Sequence, residues 1–215
     1  MPEVTVEQLA VMSELLGSGP IVLGEMHDLP HAREAVRQLM RAEFVHYLSL
    51  ESPIAPPNLA EADGRIKGFG NDVANYFTGI QLYPNSFTLR QLVDKATKRG
   101  IPVYFHDVPL ARSRLNGVND GRNLNAYPAY ASQFLIGDKM TALPTSDRKA
   151  ATFYRQRNAY AANYLQTQLG KGVKILRGLV VLAGSDHLVP DRGLNPLSTL
   201  QGCLGISNDR AFIVD

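Results

Sequence analysis

Short apolar runs alternate with stretches of helical periodicity along much of the chain. The runs lack strict apolar–polar alternation and are bounded by polar or turn residues, which is typical of strands buried on both faces of a sheet. They cover residues 21–23, 44–50, 101–105, 179–183 and 211–214. We therefore predict five buried strands.

Between these runs, apolar residues recur at the spacing of amphipathic helices. The clearest example follows Pro30, where the i, i+3, i+4, i+7, i+8 positions are all apolar: Ala32, Ala35, Val36, Leu39 and Met40. Similar patterns predict helices over 6–16, 86–99 and 146–169. Strands that alternate with helices indicate βαβ units. We predict an α/β fold with a mainly parallel sheet flanked by helices, as a single domain over residues 1–215.

Two long segments interrupt this alternation. Residues 53–85 and 107–145 read as irregular and are rich in Pro, Gly and Asn. In α/β proteins such segments usually shape a binding cleft. We expect them to form loop or helical insertions over the carboxyl edge of the sheet, in a chain that is complete or is one domain of a larger protein.

Composition narrows the classes of function. Twenty-two basic and twenty acidic residues give a net charge of +2, too small to indicate a nucleic-acid surface. One cysteine, Cys203, excludes a disulfide framework and reads as a buried or incidental thiol. No apolar run approaches the ~20 residues of a membrane span, and the N-terminus lacks a signal-peptide pattern. We expect a soluble protein with a small-molecule or peptide substrate, cytoplasmic as written and secreted if it is an effector or part of a larger toxin.

Chemically active side chains follow each of the first four predicted strands. In chain order they are Glu25 and His27, then Glu51, then His106 and Asp107, then Asp186 and His187. Ligands of open parallel sheets bind beyond the carboxyl ends of the strands, so these groups should share one edge. Imidazole and carboxylate groups bind divalent metals or transfer protons. The pattern therefore predicts a reaction centre at this edge.

Two further histidines differ in their expected roles. His31 lies in the first turn of the helix after the first strand, where it either points back over the strand end or is exposed. His46 lies inside the predicted second strand and reads as a structural residue. On the long helix, Arg157 and Asn158 either orient a substrate or belong to a solvated basic face.

Several other chemistries lack their motifs. The sequence contains no G-x-S-x-G elbow, no phosphate-binding G-x-x-x-x-G-K-[ST] loop and no H-E-x-x-H. The remaining possibility is a cluster of His, Glu and Asp that acts through a metal or directly as acid and base.

Four motifs, in order, resemble one superfamily. They are the 22–27 run VLGEMH with His31 after it, Glu51, Arg157-Asn158 with Ala161-Ala162, and Gly184-Ser185-Asp186-His187 with GLNP at 193–196. This order resembles the erythromycin-esterase-like, ChaN-like haem-uptake and TIKI metalloprotease proteins, and a related domain of dermonecrotic-type bacterial toxins. The match spans residues 21–197. Asn158 stands where the family has aspartate, and Ala161 where it has methionine.

The resemblance implies a parallel sheet with its site at the carboxyl edge, and it implies several activities. The first is a hydrolase of ester or amide-type substrates, with a divalent metal held by Glu25, His27 and His187. Its catalytic residues would be Glu25, His27, His31, Glu51 and His187, and its substrate-binding residues His106, Asp107, Arg157, Asn158 and Asp186. The alternatives are a binding protein whose cofactor is haem, and a toxin or effector module that docks on a partner.

Overall fold

A computed structural model describes the chain over residues 4–25, 31–51, 89–107, 133–136, 139–142, 147–170, 172–189 and 195–214. It contains a five-stranded sheet in which every neighbouring pair is parallel. The strands, in their order across the sheet, are β3 (Val103–Phe105), β2 (Tyr47–Leu50), β6 (Leu179–Gly184), β1 (Ile21–Glu25) and β7 (Ala211–Val214). The predicted α/β fold with a parallel sheet is confirmed.

Helices cover both faces of this sheet. Their bounds are α1 (Val6–Ser18), α2 (His31–Arg41), α3 (Leu89–Lys98), α4 (Asp147–Leu169) and α5 (Leu200–Leu204). A 3₁₀ turn, Ser185–His187, follows β6 directly. Within the described ranges, no helix combines the length and the apolar composition of a membrane-spanning segment.

The structure differs from the predicted elements in two main places. An antiparallel hairpin of β4 (Gln133–Ile136) and β5 (Lys139–Ala142) lies in a segment predicted to be irregular. The second strand begins at Tyr47, because the preceding residues form a turn with a positive φ of 64° at Glu43. His46 therefore precedes the strand and is exposed, although we predicted it inside the strand. The predicted insertions at 53–85 and over most of 107–145 lie outside the described residues.

Successive side chains along each strand point to opposite faces of the sheet, so the core has two layers. One face carries Leu23, Leu48 and Leu182, which pack with α1, α2 and α3. The other face carries Val22, Val181 and Ala183, which pack with α4 and α5. Because helices cover both faces, the central strands are almost wholly apolar, as is usual for parallel sheets. Polar side chains therefore collect where the strands end.

Chain order brings distant residues together at the carboxyl edge. Strand β6 is inserted between β1 and β2, so that Gly184 pairs with Glu25 and Leu182 pairs with Leu50. The turn that follows β6 packs tightly on β1, since a Cβ on Gly24 would lie 3.1 Å from the Cα of Ser185. Glycine at this position allows the turn that carries His187 to approach the first strand.

Candidate functional site

A buried group of charged and polar side chains lies at the carboxyl edge, on the face covered by α4. We call it the carboxyl-edge cluster, and it consists of Glu51, Asp107, Arg157, Asn158 and His187. All five are at most 8% exposed. They come from four separate parts of the chain. Within the cluster, the hydrogen-bonded residues most distant in sequence are Glu51 and His187, which are 136 positions apart. All five belong to the set predicted from the sequence.

Arg157 is the centre of this cluster. Its Nε donates to Asp107 Oδ1 at 2.9 Å, and its Nη2 donates to Asp107 Oδ2 at 2.6 Å and to Glu51 Oε1 at 2.5 Å. Burial lowers the pKa of Arg157, but the charges of Asp107 and Glu51 raise it more, so the guanidinium stays charged. The two hydrogen bonds to Asp107 form the bidentate contact that arginine favours, and the third bond joins Arg157 to Glu51 at the end of the neighbouring strand.

Helical periodicity explains why α4 delivers these side chains. Ala161, Ala162 and Leu165 are buried against the sheet. Arg157 and Asn158 stand one turn earlier on the same face of the helix, four residues before the two alanines. The apolar stripe of α4 thus changes to polar residues where the helix passes the carboxyl edge. Arg157 and Asn158 are buried in the site, so they do not belong to a solvated basic face.

His187 is held in one orientation by Asn158. The amide Nδ2 of Asn158 donates to the carbonyl oxygens of His187, at 3.2 Å, and of Ser198, at 2.9 Å. This leaves Oδ1 of Asn158 as the acceptor for the Nδ1–H of His187, with the two atoms 2.5 Å apart. The Nε2 atom of His187 then faces Glu51 Oε1 at 3.2 Å. The ring is therefore arranged to exchange a proton at Nε2.

Glu51 connects Arg157 to His187 within the carboxyl-edge cluster. Its Oε2 accepts the backbone N–H of Gly184 at 2.6 Å, and its Oε1 faces both Arg157 and His187. Glu51 Oε1 therefore lies between the guanidinium of Arg157 and the imidazole of His187, at 2.5 Å from Nη2 and 3.2 Å from Nε2.

Tyr154 covers one side of His187. The two rings meet edge to face with their centroids 4.9 Å apart, and the hydroxyl of Tyr154 donates to Asp186 Oδ2 at 2.9 Å. Burial, reinforced by the charge of Asp186, raises the pKa of Tyr154, which keeps the phenol protonated. Sequence reasoning missed Tyr154, although its position three residues before Arg157 places it on the same helix face.

Glu25 takes part in a second ion pair, on the face covered by α2. Arg33 donates from Nε to Glu25 Oε2 at 3.0 Å, and Arg33 is 0% exposed. His31 is buried in the first turn of the same helix, so the exposed alternative for this residue is wrong. Sequence reasoning missed Arg33, whose signal is a charged residue within the apolar face of α2.

His106 has one hydrogen-bonding nitrogen without a partner. Its Nδ1 lies 2.7 Å from the hydroxyl of Ser49, while its Nε2 is buried and makes no hydrogen bond in the described part of the chain. Burial lowers the pKa of His106 to about 3, so the ring is neutral near neutral pH. An unmet buried donor or acceptor costs roughly 1–3 kcal/mol. Sequence reasoning found His106 but missed Ser49, a polar residue within an apolar strand.

The predicted metal ligands are described only in part. Glu25 is the last residue of β1 and His187 follows the neighbouring β6, whereas His27 lies outside the described residues. Among the residues that the structure describes, no three His, Cys, Asp or Glu are arranged to hold a metal ion. The thiol of Cys203 is half-buried and burial raises its pKa, which disfavours the reactive thiolate.

Asn158 has a structural reason to be an amide. In the variant Asn158→Asp, the carbonyls of His187 and Ser198 lose their donor and face a carboxylate. We expect this change to lower the free energy of unfolding by about 2 kcal/mol or more, since each buried group left unmet costs roughly 1–3 kcal/mol. Urea unfolding monitored by circular dichroism measures the loss.

The matched control for this variant is Asn163→Asp, an exposed position on the same helix. It introduces the same charge without breaking these hydrogen bonds, so we expect a change below about 0.5 kcal/mol. Equal stabilities of the two variants would contradict the hydrogen-bond arrangement described for Asn158.

Comparison of the chain with protein-family models, with curated proteins and with solved structures gives no match. The resemblance carried by the four short motifs stays a prediction. The carboxyl-edge cluster is therefore interpreted from its own geometry.

Proposed function

We propose that the chain is a hydrolase of ester or amide-type substrates, in which His187 and Glu51 handle the proton of the attacking water. One observation carries this proposal. The hydrogen bond from Nδ1 of His187 to Asn158 directs Nε2 toward the carboxylate of Glu51 at 3.2 Å. A general base held by one neighbour and stabilised by a carboxylate is the usual arrangement for activating a weak nucleophile.

The two residues have distinct roles in the proposed reaction. Neutral His187 takes a proton from water at Nε2 while the water oxygen forms a bond to the carbonyl carbon. The charge of Glu51 stabilises the imidazolium that forms. The carbonyl π electrons move onto the carbonyl oxygen and return when the bond to the leaving oxygen or nitrogen breaks, and the leaving group takes the proton from His187. Water is consumed, and an acid and an alcohol or amine are released.

Arg157 acts on this centre through charge and position. It neutralises part of the negative charge of Glu51 and Asp107, and it fixes both carboxylates at the ends of their strands. Because both groups are buried with it, their attraction is weakly screened by solvent. Arg157 is thus a positioning residue for Glu51.

The metal-dependent form of the hydrolase uses a different set of residues. A divalent ion bound by Glu25, His27 and His187 would supply a water of lowered pKa. One of these three residues, His27, lies outside the described residues, and Arg157 already places positive charge 2.5 Å from Glu51 Oε1. The proton-transfer form rests wholly on described residues, and we favour it for that reason.

Hydrolysis by metal-free protein tests the proposed function. The wild-type chain, purified without a histidine tag and treated with a chelator, is assayed with p-nitrophenyl butyrate and with alanine p-nitroanilide. We expect turnover of at least one probe above the rate of His187→Ala, and the same rate after divalent metal is added back. Turnover that requires added metal would favour the metal-dependent form. No turnover of either probe, combined with a Soret shift on haem titration, would favour the haem-binding alternative.

A further inference from the structure

The ring of His106 lies at the same edge as the proposed reaction centre, on the same face of the sheet as Glu51. Its backbone N–H donates to the carbonyl of Leu50 at 3.0 Å, which continues the β2–β3 register by one residue. Directly paired residues of a sheet point to the same face, so the side chain of His106 stands beside that of Glu51. Burial has the largest effect on its pKa, and Glu51, His187 and Arg157 are the ionisable groups that also act on it.

The hydrogen-bond partners available to the neutral ring of His106 decide which of its two nitrogens carries the proton. If Ser49 donates its hydroxyl hydrogen to Nδ1, then Nε2 carries the ring proton and one group is left without a partner. If instead Nδ1 donates to Ser49, both the lone pair of Nε2 and the hydroxyl hydrogen of Ser49 are left unmet, because Ser49 Oγ has no second partner in the described part of the chain. The first arrangement leaves fewer buried groups unsatisfied. Nε2 is therefore a buried donor, adjacent to Glu51, whose proton no group in the described part of the chain accepts.

We propose that His106 donates its Nε2–H to the carbonyl oxygen of the bound substrate and to the oxyanion that forms from it. The inference rests on the proposed hydrolase function and extends it, because it names a catalytic donor and a substrate class that presents a carbonyl oxygen. Burial lowers the pKa of His106 to about 3, so the ring stays neutral and stabilises the oxyanion as a fixed donor.

The proposed donor accounts for the movement of charge in the reaction. As water adds to the carbonyl carbon, the π electrons pass to the carbonyl oxygen and its hydrogen bond to Nε2–H strengthens. When the carbonyl re-forms, this bond weakens again, and the leaving group takes its proton from His187. The ring of His106 keeps its own proton throughout. A donor that binds more strongly in the transition state than in the ground state raises kcat with little effect on KM.

Nitrogen NMR of the imidazole rings tests the assigned proton without any assay of activity. Long-range proton–nitrogen spectra of the wild-type chain near neutral pH should show His106 with Nδ1 unprotonated and Nε2 protonated. Addition of butyrate, whose carboxylate is a product of the ester probe, should shift the Nε2–H proton signal of His106. A ring protonated at Nδ1, or an Nε2–H signal unmoved by butyrate, would overturn the inference.

Two variants test the catalytic role. His106→Asn can keep a hydrogen bond to Ser49 but has no donor at the position of Nε2, whereas the longer side chain of His106→Gln carries an amide to that position. For p-nitrophenyl butyrate we expect about a 100-fold lower kcat in His106→Asn with little change in KM, and at least about tenfold recovery in His106→Gln. An unchanged kcat in His106→Asn, or equal losses in both variants, would overturn the inference.

The two proposals fail separately. If the wild-type chain hydrolyses neither probe, the proposed function fails, and the NMR titration still decides whether Nε2–H binds an oxygen ligand. If the wild-type chain is active but His106→Asn matches it, the hydrolase proposal stands and the donor role of His106 is overturned.

Discussion

Replacing His187 with alanine is expected to lower kcat/KM for p-nitrophenyl butyrate by about 10²–10⁴-fold, the range that a general base contributes. The imidazole Nε2 is the proposed acceptor of the water proton, and alanine leaves nothing in its place. Glu51 and Arg157 remain in position, so the residual rate reports what the charged cluster achieves without the base. Initial rates of the metal-free proteins measure the effect.

The matched control for this loss is His46→Ala. His46 is exposed, lies outside the carboxyl-edge cluster and precedes β2. Its removal should leave kcat/KM within about a factor of two, since surface substitutions rarely disturb a site. A His187→Ala protein that is folded and retains wild-type kcat/KM would contradict the assignment of His187 as the base.

Replacing Arg157 with leucine is expected to lower the free energy of unfolding by about 3–5 kcal/mol, the usual cost of removing one partner from a buried ion pair. Glu51 and Asp107 would stay buried as like charges and would lose the guanidinium that joins them. Leucine fills part of the volume but cannot supply the three donated hydrogen bonds. Urea unfolding monitored by circular dichroism measures the loss.

The control for this variant is Arg155→Leu, two residues earlier on the same helix and exposed. It removes the same charge from the chain without breaking a described ion pair, and we expect a change below about 0.5 kcal/mol. A loss in Arg157→Leu of less than about 1 kcal/mol would mean that its bonds to the two carboxylates contribute little to stability.

The periodicity of the sequence predicts the fold because the central strands are buried on both faces. Strand β6, for example, is a continuous apolar run, and this pattern distinguishes the central strands from the amphipathic helices that alternate with them along the chain. The exact start of β2 could not be predicted, because Phe44 and Val45 are as apolar as the strand itself and a turn at Glu43 excludes them from the sheet. Register and strand order depend on contacts between distant segments, which local patterns do not encode.

The site was predictable where a functional side chain follows a strand directly. Glu51, His106 and His187 fulfil that condition, and the rule that strands end at one edge places them together. Tyr154, Arg33 and Ser49 were not predictable in this way, because each lies within a helix or strand whose pattern indicates packing. Their importance comes from partners far away in sequence: His187 for Tyr154, Glu25 for Arg33 and His106 for Ser49.

The structure gives buried partners to two of the three predicted metal ligands. The sequence grouped Glu25, His27 and His187 as metal ligands, and His27 lies outside the described residues. In the fold, Glu25 pairs with Arg33 on the α2 side, while His187 pairs with Asn158 and Glu51 on the α4 side. Glu25 shares the face of Leu23 because it lies two residues further along β1, whereas His187 stands in the 3₁₀ turn after β6, whose direction the sequence pattern does not encode.

In the proposed reaction, the imidazole of His187 transfers the proton of the attacking water. The most direct test of this role is the rate of p-nitrophenyl butyrate hydrolysis by metal-free His187→Ala as free imidazole is added. We expect a saturable recovery of roughly tenfold or more, because imidazole can occupy the space that the side chain leaves and restore a base beside Glu51. A variant that stays folded, lacks activity and shows no recovery at any imidazole concentration would contradict this role.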